Sequence, residues 1–95
     1  MTYAAGALRD LERLTDFLID VDPAAAAETV ELIAEAIEIL ANQPRVGRRA
    51  EKGYRELVIS RGHSGYVALY SYERVDDTVL VLAVRHQRET GSDED

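Results

Sequence analysis

Val79-Leu80-Val81-Leu82-Ala83-Val84 is apolar at every position. Side chains alternate along a strand, so this segment presents hydrophobic surface on both faces and must be covered on both sides. Two further strands precede it. Tyr66-Val67-Ala68-Leu69-Tyr70-Ser71-Tyr72 puts Tyr66, Tyr70 and Tyr72 on one face and Val67 and Leu69 on the other, and Tyr54-Arg55-Glu56-Leu57-Val58-Ile59 follows Gly53. Gly62-His63-Ser64-Gly65 and Asp76-Asp77 supply turns between them, which makes the three segments an antiparallel meander. Arg45-Val46-Gly47-Arg48-Arg49 reads as a loop leading in.

Upstream the hydrophobic period changes from two to between three and four. Leu8, Leu11, Leu14, Leu18 and Val21 form the stripe of an amphipathic helix that ends at Val21-Asp22-Pro23. Asp22 can cap the next helix, and Pro23 suits a first turn where its missing N–H costs nothing. Ala26, Val30, Ile33, Ile37 and Leu40 then form a second stripe, which can zip against the first in an antiparallel hairpin before Asn42-Gln43-Pro44 stops it. The helices cover one face of the sheet. Something else must cover the other.

Charge divides along the same boundary. Residues 1–44 hold two basic and nine acidic side chains, residues 45–88 hold nine basic and five acidic, and 89–95 add four acids, for a net charge of −7 over 95 residues. Only the second half could address an anionic target. With no cysteine, disulfide and thiolate-metal chemistry are excluded, and His63 and His86 lie on separate segments without a ligand cluster, so no metal or other cofactor is expected. There is neither a Lys-Ser or Lys-Thr phosphate loop nor a G-x-S-x-G elbow. The start Met1-Thr2-Tyr3-Ala4-Ala5-Gly6 lacks the pattern of a signal peptide, and no apolar run reaches the length of a membrane span. A single soluble, intracellular domain over 1–95 is expected, with 89–95 a frayed acidic tail.

Two surfaces carry possible chemistry. Arg55, Arg61, Arg85, His86 and Arg88 lie on or near the sheet with tyrosines in reach; arginine forks hold phosphate, tyrosine stacks on bases, and histidine exchanges protons near neutral pH. The same residues also read as ordinary amphipathic surface. Glu28, Glu31, Glu35 and Glu38 form a ladder on the second helix with no base on that helix to offset it, which is either a solvated face or a docking strip for a basic partner segment.

The chain resembles the RelE/ParE superfamily of bacterial toxin–antitoxin toxins, also known as plasmid-stabilisation proteins. The resemblance runs through Ala7-Leu8-Arg9-Asp10-Leu11-Glu12-Arg13-Leu14, Asp22-Pro23, and Ile37 to Leu40 leading into Asn42-Gln43-Pro44-Arg45-Val46-Gly47-Arg48. It continues through Gly53-Tyr54-Arg55-Glu56-Leu57, Tyr66-Val67-Ala68-Leu69-Tyr70 and Val81-Leu82-Ala83-Val84-Arg85-His86-Gln87-Arg88-Glu89. It implies an α+β fold: a short first strand at Thr2–Ala5, the helix hairpin, and the three-strand antiparallel meander. It also implies a cytoplasmic protein held inactive, as a hetero-oligomer, by a co-encoded antitoxin whose C-terminal segment wraps the toxin.

Two activities divide that superfamily. RelE-type members cut messenger RNA on the ribosome with basic side chains on the sheet, an arginine just past the last strand and often a C-terminal tyrosine. ParE-type members lack that set and poison DNA gyrase, trapping its cleaved-DNA complex without chemistry of their own. Here the catalytic arginine's position falls at or near Gln87, with Arg88 beside it, and Thr90–Asp95 contains no tyrosine. An acidic tail would also repel RNA phosphates. These departures favour the ParE-type reading, with Arg85, His86, Arg88 and Tyr70 as target contacts and the glutamate ladder as antitoxin contact. An endoribonuclease would instead rely on Arg55, Arg61, His86 and Arg88, and a third reading is a non-toxic member that only binds antitoxin.

Overall fold

The computed structural model describes residues 1–61 and 64–87. Helix α1 (Ala5–Val21) and helix α2 (Pro23–Glu38) are separated by Asp22 alone. Asp22 sits in extended backbone, φ −160° and ψ 93°, and its carboxylate accepts from the Ala25 N–H at 3.3 Å, with Pro23 in the first turn. The sequence signal for the helix break is thus realised as a cap. A short 3-10 turn, Ile39–Ala41, continues α2 and buries Leu40.

The sheet has five strands: β1 (Thr2–Tyr3), β2 (Arg48–Arg49), β3 (Arg55–Arg61), β4 (Ser64–Glu73) and β5 (Thr78–His86), in the order β1-β5-β4-β3-β2. The meander β3-β4-β5 is antiparallel as expected, and β1 adds in parallel to β5 through Thr2 opposite Leu80 and Tyr3 opposite Val81. One strand was not expected. Arg48 and Arg49, read as loop, pair antiparallel with Glu56 and Arg55, and a left-handed turn at Lys52 (φ 62°) and Gly53 (φ 79°) lets the chain double back within so few residues. Ser64 and Gly65, expected in a turn, already belong to β4.

Helix α1 lies along β5, α2 along β3, and the core fills the space between. Ile33, Ile37 and Leu40 meet Tyr66, Ala68, Tyr70, Val79, Val81 and Val84 there. Full burial of each large aliphatic side chain stabilises by about 1.5–3 kcal/mol relative to exposure. Alternation alone could not turn Val79, Val81 and Val84 to the same side. Leu69 faces Ala83 but Tyr70 faces Val81, so Leu82 is an extra residue on β5, a bulge that resets the parity. Beyond the two residues of β1 that edge of β5 has no strand partner among the described residues, and Asp10 of α1 substitutes: its Oδ2 accepts from the Val84 N–H at 2.9 Å.

The helix stripes need one correction. Leu14 is buried, but Leu8 and Val21 are 55% and 66% exposed, and Phe17 beside them is 61% exposed. The α1 face that meets the sheet is centred on Ala7 and Leu14, so the outer part of the stripe remains on the surface. No helix among the described residues is long and apolar enough to cross a membrane.

Candidate functional site

At the end of β5, alternation separates two residues that are adjacent in sequence. Arg85 faces Val67 across the ladder, on the side of the sheet away from the helices, while His86 faces Tyr66 on the helix side. The His86 and Tyr66 rings meet edge to face, with centroids 5.2 Å apart. Together with Leu14, Phe17, Leu18 and Val21 they line a cleft of about 480 Å³ between α1 and the sheet. Arg85 is exposed, and on the same face Val58 is exposed and Leu80 and Ala83 are partly open, while Val67, opposite Val58, is buried.

Of the constellation anticipated for RNA cleavage, Arg55, Arg85 and His86 are described with their side chains, and the side chain of Arg61 lies outside the description. Arg55 and Arg61 stand at opposite ends of β3, their backbones about 20 Å apart at roughly 3.3 Å per residue. Arg55 is also committed elsewhere. Its guanidinium donates to the carbonyls of Gly47 at 2.8 Å and Arg45 at 3.2 Å, which ties the loop before β2 to the sheet. Tyr70 is fully buried, and its hydroxyl accepts from the Gly47 N–H at 2.9 Å. That corrects its assignment as a target contact: it is part of the core. The face bearing Tyr66, Tyr70 and Tyr72 is the one the helices cover, so Tyr66 too is buried. Arg88, His63 and the acidic tail lie outside the described residues.

Glu28, Glu31, Glu35 and Glu38 are all exposed. Glu31 borders an apolar groove between the two helices, lined also by Ile19, Ala26, Val30 and Ala34, of about 540 Å³. Glu38 also reaches Tyr3, whose phenol is held above its ordinary value by burial first and by that carboxylate second. Among the described residues no cluster of histidine, aspartate and glutamate could hold a metal ion.

A second polar feature was missed in the sequence. Arg45, Arg49, Arg55 and Arg74 surround one cleft of about 360 Å³ with Tyr54 and Tyr72. Arg45 precedes β2, Arg49 lies on it and Arg74 follows β4, so only strand pairing brings them together. Nothing in their spacing signals it, apart from the positive balance of that half of the chain.

Comparison with known proteins gives a consistent family. The family model described as "ParE toxin of type II toxin-antitoxin system, parDE" matches residues 2–91. The chain is 37% identical over 83 residues to Toxin RelE3 of Caulobacter vibrioides, covering 87% of this chain and 88% of that protein. It is 39% identical over 64 residues to Toxin RelE1 of the same organism, covering 67% and 69%. Among solved structures it is similar to a chain of the chromosomal ParDE system of P. aeruginosa, with TM-score 0.74, 24% identity and coverage of 90% and 91%. It is similar also to a chain of the toxin–antitoxin complex RelBE2 of Mycobacterium tuberculosis, with TM-score 0.58, 28% identity and coverage of 92% and 96%.

Proposed function

Because the chain belongs to the ParE toxin family of type II toxin–antitoxin systems, we propose that it inhibits growth as ParE-type toxins do, by binding DNA gyrase and trapping its cleaved-DNA complex, without chemistry of its own. The commitment of Arg55 to the loop before β2 carries this choice, because it removes a basic side chain that an RNA-cleaving site would use. On the side of the sheet away from the helices, Val58, Leu80 and Ala83 present an aliphatic surface with Arg85 at its end, suited to a protein partner rather than to a phosphate chain. Arg55 is engaged by two backbone carbonyls and Tyr70 is in the core, so neither supports cleavage. Arg85, with Arg88 beyond it, contacts the target.

In the cytoplasm a co-encoded antitoxin neutralises the protein. The groove bordered by Glu31 supports this, since an amphipathic antitoxin segment could place apolar side chains against Ile19 and Val30 and basic ones against Glu28, Glu31, Glu35 and Glu38. Replacing Glu31 and Glu35 with Gln should weaken antitoxin binding and leave toxicity intact. Equal affinity would return the ladder to a solvated face.

The relatives named RelE support the second reading, ribosome-dependent cleavage of messenger RNA. One experiment separates the two: antitoxin-free protein is mixed with gyrase, plasmid and ATP, and in parallel with ribosomes translating a messenger. Accumulated cleaved plasmid with intact messenger is expected. Cut messenger with intact plasmid would overturn the proposal, and no effect on either would favour a non-toxic antitoxin-binding protein. Arg85→Ala should reduce growth inhibition at least tenfold, whereas His86→Gln should matter only if a proton is transferred.

A further inference from the structure

The cleft at the far end of the sheet from His86 gathers more positive charge than the fold uses. Two arginines of that region have evident structural work. Arg48 pairs with Glu56, Nε to Oε1 at 3.1 Å, and Arg55 binds the carbonyls of Gly47 and Arg45. Arg45, Arg49 and Arg74 have no carboxylate within ion-pair distance among the described residues, yet all three line the same 360 Å³ cleft. Arg45 stacks its guanidinium over the Tyr72 ring, 5.7 Å from the centroid. Arg49 stands opposite Arg55 across β2 and β3, on the face that turns toward Tyr72.

No carboxylate lines the cleft. Glu56 is held by Arg48, and Asp77 accepts from the Tyr72 hydroxyl at 2.9 Å. Tyr72 registers both charges: the bond to Asp77 holds its phenol above the ordinary value, and Arg45 and Arg74 act in the opposite sense. Three cations therefore line one cleft whose walls hold no carboxylate, and Asp77, which acts on Tyr72, offsets their mutual repulsion only from outside it. An anion placed between them relieves that repulsion.

We propose that the cleft of Arg45, Arg49 and Arg74 binds the phosphodiester backbone of a nucleic-acid strand, with Tyr54 offering a ring for an adjacent base. Planar guanidinium forks match phosphate oxygens in pairs, and Tyr54 is 37% exposed at the rim. The volume lies in the range of small-molecule sites, large enough for a nucleotide unit rather than a bare ion. A carboxylate-bearing peptide would meet the same charges but would have no use for the aromatic rim. The site is separate from the surface around Arg85. A toxin that stalled gyrase through protein contacts alone would not need it, and one that also gripped a strand could anchor itself beside the enzyme's DNA.

The test uses the full chain and no gyrase, so it stands or falls apart from the gyrase reading. Fluorescence anisotropy is followed for labelled oligothymidylate DNA, oligouridylate RNA and an oligoglutamate peptide of equal length, from about 50 to about 200 mM salt. The wild type should bind a nucleic-acid strand and not the peptide; whichever of DNA and RNA binds more tightly names the source of the phosphodiester. The triple variant R45Q/R49Q/R74Q should bind at least tenfold more weakly. Its plot of log affinity against log salt should be flatter by about 0.7 for each phosphate that the variant no longer neutralises. Arg9→Gln, an exposed change on α1, should bind as the wild type does, and matching melting temperatures confirm that all variants fold. Undiminished strand binding by the triple variant overturns the proposal, as does peptide binding without strand binding, which would assign the cleft to an acidic protein segment.

Discussion

Gly47 shows how a single position can organise a loop. Its N–H is held by the Tyr70 hydroxyl and its carbonyl by Arg55, and a Cβ there would lie 2.6 Å from that hydroxyl and 2.7 Å from the Glu56 carbonyl. Gly47→Ala should therefore cost about 1–3 kcal/mol by overpacking, read as a lower denaturant midpoint with an unchanged slope. Arg55→Ala should cost a similar amount by freeing the Gly47 carbonyl, about 1.5–3 kcal/mol for a charge-assisted bond, and rescue by lysine should be incomplete because one ammonium cannot reproduce the fork. Asp10→Ala should destabilise for a different reason, leaving the Val84 N–H without its acceptor beside the bulge. None of these interactions was legible in the sequence. Asp10 and Val84 are far apart along the chain, and Tyr70 looks in isolation like a surface aromatic, because a strand pattern gives two faces without saying which one the helices will cover.

Elements were more legible than their edges. The capped helix break at Asp22-Pro23 and the three long strands follow from periodicity and turn residues, which act locally. Strand β2 did not, since two arginines carry no strand signal and pair only because a left-handed turn returns them to β3. The apolar run Val79–Val84 had the opposite fault. Being hydrophobic throughout, it concealed the bulge that alternating polar residues would have exposed. Deleting Leu82 should remove the bulge and leave Val79, Val81 and Val84 on one face by plain alternation, so the expected outcome is a retained cooperative melting transition with a modest shift. The candidate site suffered from the same blindness: Arg85 and His86 are neighbours in sequence and occupy opposite faces of the sheet.

Over the whole molecule, the acidic helices and the arginine-bearing sheet end give one chain two electrostatic characters. High salt should weaken binding at both, so comparisons of antitoxin and strand affinity belong at one ionic strength. Alkaline pH acts through a different group. Folding favours the neutral phenol of Tyr3, so its contribution is constant below the ordinary value of 10.0 and is lost as pH rises through and beyond it. Tyr3→Phe should accordingly lose less stability than the wild type between about pH 9.5 and 11, measured by melting temperature.

The pairing of β1 with β5 joins the first residues of the chain to a strand near its end, Thr2 to Leu80. During synthesis this pairing cannot form until the chain through Val81 has left the ribosome, because residues distant in sequence wait on the chain that links them. Polypeptides released early, before Thr78, would lack β5 altogether and leave β4 with a bare edge. A chain released before β5 also lacks Arg85, so the surface proposed to meet the target exists only once β5 has been made.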